Sequence, residues 1–149
     1  MEASPAPERI PIAIDDHYAN RIGSLDDGRQ FIITNPFVAA LGSDPGREFL
    51  AVYLFDGDGK FLEARIDDLG IPSALDEDAA RKLLDERIAE LGAISYGDIE
   101  VQPFSVERFG TAFGLIPRPP EDEDDQWAVE MQPWNYMAFF EPWEGDYDT

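Results

Sequence analysis

The chain of 149 residues contains no cysteine. That excludes a disulfide framework, a thiol nucleophile and any zinc site built on thiolates, and it fits a reducing cytoplasm. Histidine occurs once, at His17, so a catalytic triad or an imidazole metal site must use that side chain or do without one. Bases are scarce: eleven Lys and Arg face thirty-two Asp and Glu, a formal net charge of −21. Such a body repels phosphate backbones and anionic lipid, which argues against nucleic acid and membrane as direct partners. No stretch approaches the roughly 18–20 apolar residues that span a bilayer. The opening "MEASPAPERI" carries Glu2 and two prolines without an apolar run, so no secretory signal is expected.

What is present suffices for a core. Hydrophobic residues make up 44% of the chain and aromatics 12%, too many for a disordered polymer. This length suits one domain over residues 1–149, burying roughly 68–70% of its unfolded surface. Residues 1–9 read as a flexible arm. "RIPIAI" at 9–14 reads as a short edge strand because of Pro11. "RIGSL" and "RQFIITNPF" flank "DDG" at 26–28, a hairpin signature. The connector 35–48 suggests a short helical turn near Phe37–Leu41. "EFLAVYLFD" at 48–56 is the strongest strand and should be central, since its apolar run is nearly continuous. "FLEARIDDL" at 61–69 returns after the turn "GDGK".

One helix is expected, over about 76–91. Ala80, Leu83, Leu84, Ile88 and Leu91 form a single apolar stripe, Ser73 or Asp76 can cap it, and Gly92 can end it. Further strands are expected at 99–109, 111–117, 127–131 and 136–142, with "RPPEDEDDQ" at 118–126 as an acidic loop. The resulting fold class is α+β: an antiparallel sheet of about six or seven strands built from hairpins, with one main helix packed on one face.

Few residues suggest chemistry. His17 has Asp15, Asp16, Tyr18 and Arg21 nearby, so a base oriented by a carboxylate is conceivable, but a surface histidine is the plainer reading. "DGDGK" at 56–60 resembles the start of a calcium loop, yet position twelve falls at Asp67 within a strand. "GSDPG" at 42–46 lacks the lysine and the strand–helix setting of a phosphate loop. No metal or cofactor is expected.

The C-terminal fifth is different. From Pro119 to Thr149 there are Glu121, Asp122, Glu123, Asp124, Asp125, Glu130, Glu141, Glu144, Asp146 and Asp148, without a single Lys or Arg. Trp127, Trp134 and Trp143 lie there too, with Tyr136, Phe139, Phe140 and Tyr147. Aromatics in that number most often cover a sheet face and pin a terminus. Within an acidic rim they also suit a docking surface for a basic protein. The candidate partner-binding residues are therefore Glu121, Asp122, Glu123, Asp124, Asp125, Trp143, Glu144, Asp146, Tyr147 and Asp148.

Several segments together resemble a family of small acidic bacterial proteins, mostly uncharacterised: "HYANRIG" at 17–23, "DGRQF" at 27–31, "YLFDGDGKFLEARI" at 53–66, "YGDIEVQPF" at 96–104, "FGL" at 113–115 and "EPWEGDYDT" at 141–149. Some relatives are labelled formate hydrogenlyase regulatory protein, which implies a regulator of a formate-oxidising, hydrogen-evolving complex. The family brings no catalytic motif. The residues themselves point first to a non-enzymatic, cytoplasmic binding module, such as an immunity protein or inhibitor capturing a basic toxin. The regulator implied by the resemblance comes second, and an enzyme using His17 with carboxylates third.

Overall fold

A computed structural model describes residues 7–133 and 137–148. Residues 1–6 of the expected arm, together with Trp134 and Tyr136, lie outside the described residues. The end of that arm is tied down: Arg9 pairs with Glu100 and donates to the Asp58 carbonyl, and Glu8 accepts from Gln102.

The described residues form twelve strands: β1 (Ile10–Ile12), β2 (Ile22–Leu25), β3 (Gln30–Thr34), β4 (Phe37–Val38), β5 (Arg47–Phe55), β6 (Phe61–Gly70), β7 (Ile94–Tyr96), β8 (Ile99–Val101), β9 (Phe104–Arg108), β10 (Thr111–Arg118), β11 (Ala128–Gln132) and β12 (Ala138–Phe140). The helix α1 spans Glu77–Glu90. These strands build three antiparallel sheets, of six, four and two strands. The expected α+β fold with one sheet of six or seven strands is thus corrected: the protein is mostly β, and its strands are divided among three sheets.

β5 shows why one sheet and one helix do not suffice. Phe49, Ala51, Tyr53 and Phe55 project to one side, and Leu50, Val52 and Leu54 to the other; all seven are buried. α1 and its flanks cover the second side with Leu83, Leu84, Ile88 and Leu91. The bulky aromatic side needs a larger cover, and the four-stranded sheet β12–β11–β10–β9 supplies it. Phe113 meets Phe49 edge-on at 5.0 Å, and Phe104 meets Tyr53 at 4.8 Å. Aromatic pairs in this geometry add to what burial alone contributes.

Within the six-stranded sheet, β5 pairs with β6 on one edge and with β3 and β4 on the other, followed by β2 and β7. The expected helical turn near Phe37–Leu41 is β4 instead. The Pro36 carbonyl accepts from the Phe49 amide at 2.9 Å, which keeps the chain extended beside β5. The expected single strand at 99–109 splits at Gln102 and Pro103. Proline cannot donate to a ladder, so β8 pairs with β1 and β9 with β10. Gln30 secures the two-stranded sheet by accepting from the Glu100 amide at 2.9 Å and donating to its carbonyl at 3.1 Å.

Asp76 caps α1, accepting from the Ala79 amide at 3.0 Å, and Glu77 and Asp78 occupy the first turn. None of its fourteen residues is fully buried, so the helix lies shallowly on its sheet. A forked contact from Arg87 to Asp67 of β6, at 2.8 Å for both branches, clips it in place.

The contact between β9 and β10 depends on Gly114. Its φ is +149°, and a Cβ there would run into the Phe104 carbonyl on the neighbouring strand. Gly114→Ala should therefore destabilise the protein by about 3 kcal/mol or more, whereas Gly57→Ala, whose Cβ would sit at an ordinary contact distance of 3.5 Å from the Gly28 carbonyl, should stay within about 0.5 kcal/mol. Urea unfolding followed by circular dichroism measures both; equal midpoints would contradict the packing described.

Candidate functional site

Strand register gathers the acidic segments. Arg118 pairs with Ala128, and Ala128 with Phe140. The loop between β10 and β11 and the turn after β12 therefore leave the four-stranded sheet from the same end. Glu121, Asp122, Glu123 and Asp124 are exposed on the first segment, and Glu141, Glu144 and Asp146 on the second.

The acidic loop is built around one cation. Arg118 donates from Nε to Glu130 at 2.8 Å and from Nη1 to Asp125 at 2.7 Å. Asp125 turns back to accept from the Glu121 amide at 2.9 Å, and Asp122 accepts from the Asp124 amide at 3.0 Å. Asp125 is thus half-buried and serves the loop's own structure, unlike the four acids before it. Its carboxyl is held down to about 2 by the Arg118 guanidinium, helped by the amides of Glu121 and Gln126. The same contacts, Asp125 first and then Glu130, raise the pKa of Arg118. Glu130, only 5% exposed, is a buried carboxylate of the sheet and also accepts from Gln132 at 3.0 Å.

The C-terminal segment closes the core. Trp143 and Tyr147 are half-buried against the larger core cluster. Tyr147 meets Phe139 edge-on at 6.0 Å, and its hydroxyl accepts from the Tyr18 amide at 3.1 Å. The Gly145 carbonyl accepts from the Ala13 amide at 3.1 Å. Asp148 exchanges two backbone hydrogen bonds with Ala138, both at 2.9 Å, while its side chain stays exposed. The two aromatics therefore serve chiefly as anchors, and the carboxylates of Glu144, Asp146 and Asp148 face solvent.

His17 is exposed, its ring 4.2 Å from that of Tyr18. The Asp15 side chain accepts from the backbone amides of His17 at 2.9 Å and Ala19 at 3.0 Å. Burial raises the Asp15 carboxyl, but the Tyr147 hydroxyl and these two amides outweigh it and leave the pKa lowered. Asp15 thus organises the loop and the terminus. Among the described residues, no group of three or more acidic or histidine side chains converges to hold a metal ion. No helix among them is long and apolar enough to cross a membrane.

Sequence reasoning found the acids, Glu130 among them, but missed Arg118 and its tie to Asp125 and Glu130, which shapes the loop. The available signal was a lone arginine at the start of a base-free stretch. No family model matches this chain, and neither does any curated protein or solved structure.

The ordinary carboxyl value of 3.8 and the depressed value of about 2 set the acid response of the loop. A carboxyl whose pKa falls on folding stabilises the fold above its unfolded value, and that contribution is lost as pH drops through the folded value. The Asp125 tie should therefore persist at pH 3.8 and fail near pH 2. Arg118→Gln should return the Asp125 midpoint towards 3.8. It should also destabilise the protein by about 2–4 kcal/mol, because the buried Glu130 carboxylate loses the guanidinium that balances its charge. Carboxyl carbon shifts against pH, with urea unfolding, measure both; an unchanged midpoint would rule out the pin.

Proposed function

We propose that this protein is a non-enzymatic cytoplasmic binding module that captures a basic protein at the acidic end of its four-stranded sheet. In its concrete form it is an immunity protein or inhibitor that covers the cationic functional surface of a toxin. The observation carrying this reading is the convergence of two acidic segments at one sheet end. The nearest cation, Arg118, is already spent on Asp125 and Glu130. A one-signed end of this kind steers an oppositely charged partner into register and repels anionic competitors. The half-buried faces of Trp143 and Tyr147 offer an aromatic margin beside the charges.

Glu121→Gln, Asp122→Asn, Glu123→Gln and Asp124→Asn together remove four exposed charges and leave Asp125 in its structural role. At about 0.3–0.5 kcal/mol for each rim charge, the combined loss is about 1.4 kcal/mol, or roughly tenfold in affinity. A crosslinking pull-down from the source cell should recover a basic protein with the wild type and much less with the fourfold variant. Capture should fade as salt rises from about 0.05 to about 0.5 M. Recovery of acidic or neutral proteins alone, or equal recovery by the variant, would refute the proposal. Subunits of a formate-oxidising complex among the captured proteins would favour the regulatory reading instead.

A further inference from the structure

Arginine 21 is out of place in so acidic a protein. Five arginines are half-buried: Arg21, Arg29, Arg65, Arg87 and Arg118. Four of them pair with a carboxylate, on Asp27, Glu63, Asp67 and Asp125 respectively. Arg21 forms no ion pair and no side-chain hydrogen bond among the described residues. With thirty-two acids in the chain, a missing partner is not a matter of supply. A guanidinium partly withdrawn from water gains from a counter-ion, so the lack of one needs a reason.

The surroundings supply one. Arg21 lines a cleft of about 280 Å³ together with His17, Asn20, Ile33, Asn35 and Phe37, and among the described residues no acidic side chain lines it. The cleft forms where the loop before β2 crosses the end of β3. The Arg21 carbonyl accepts from the Ile33 amide at 2.9 Å, which fixes the arginine backbone against that strand. Asn35 is held by donating to the Phe49 carbonyl at 3.2 Å, and its Oδ1 and second amide hydrogen remain for other partners. Asp15 anchors the preceding loop through the amides of His17 and Ala19 and is itself occupied by Tyr147.

We propose that this cleft binds a small organic acid by its oxyanion head, a carboxylate or a phosphate monoester. The guanidinium of Arg21 offers the planar fork that matches two oxygens of either group. Asn20, Asn35 and the His17 ring add donors around the head, while Ile33 and Phe37 form the apolar wall for the body of the ligand. A few convergent polar groups on an apolar wall are the usual make-up of a small-molecule site. The acid held against the cleft, Asp15, is already engaged by the His17 and Ala19 amides and the Tyr147 hydroxyl, and charges more than roughly 8 Å away are largely screened at physiological ionic strength. The residues of this cleft are distinct from those of the acidic end, and the two readings stand or fall separately.

Inorganic phosphate and benzoate, each compared with chloride at equal ionic strength, are suitable probes. Proton–nitrogen NMR spectra should show saturable shifts at the amides of residues 17–21 and 33–35 and at Arg21 Nε–H with at least one of them. Saturation by phosphate alone assigns the phosphate source, and saturation by benzoate alone the carboxylate source. Arg21→Gln should weaken binding at least tenfold. Arg21→Lys, which keeps the charge and loses the fork, should weaken it several-fold, and Arg81→Gln on the exposed helix surface should leave it unchanged. Should the glutamine variant fail to fold, the lysine variant carries the comparison. Shifts equal to those in chloride, or an affinity unaltered in a folded Arg21 variant, would overturn the proposal.

Discussion

Double burial of β5 is the constraint on which the other layers depend. Seven successive side chains, Phe49 to Phe55, are withdrawn from water on alternating sides. One side is filled by Leu50, Val52 and Leu54, and a single shallow helix covers them. The other carries Phe49, Tyr53 and Phe55, whose rings are too large for any cover but a second sheet. Truncating any of these aromatics would cost about 3–5 kcal/mol, the usual penalty for an unfilled ring-sized cavity. The helix has no fully buried residue and contributes correspondingly less per residue than the sheet opposite.

That arrangement also decides where charge can collect. Inner faces of both sheets are apolar, so the acids are driven to rims, loops and turns. The four-stranded sheet has its β10–β11 loop and its β12 exit at one end, and both are acidic. Arg118 bridges the two carboxylates that lie close to the sheet, Asp125 and Glu130, and the others are left facing water. The net charge of −21 is thereby given a direction, and direction is what steering and recognition use. The terminus completes the layout: Tyr147 and Gly145 tie it to Tyr18 and Ala13, near the beginning of the chain.

Much of the local structure was legible. The spacing Ala80, Leu83, Leu84, Ile88 and Leu91, with Asp76 before it, marked the helix, because its period and cap are local properties. The near-continuous apolar run of β5 marked the central strand for the same reason. What could not be read was pairing over distance. β1 meets β8 through Ile10 and Val101, a partnership that no local pattern announces. β7 is three residues long and half-exposed, and it depends on the close approach of Gly23 to Ser95. The acidic segments were visible as composition, whereas their shared end follows only from the register of Arg118, Ala128 and Phe140. The Arg21 cleft was hidden more deeply, since it joins residues 17–21 to residues 33–37 across the chain.

The central claim is that the position of the charge, more than its amount, directs binding. Chemical-shift mapping of the labelled protein against a lysine-rich polypeptide tests it most directly. The account predicts perturbations concentrated at the amides of residues 119–126 and 141–148, with α1 little changed although it also carries exposed acids. Perturbations spread evenly over the surface, or centred on Glu77–Glu90, would contradict it.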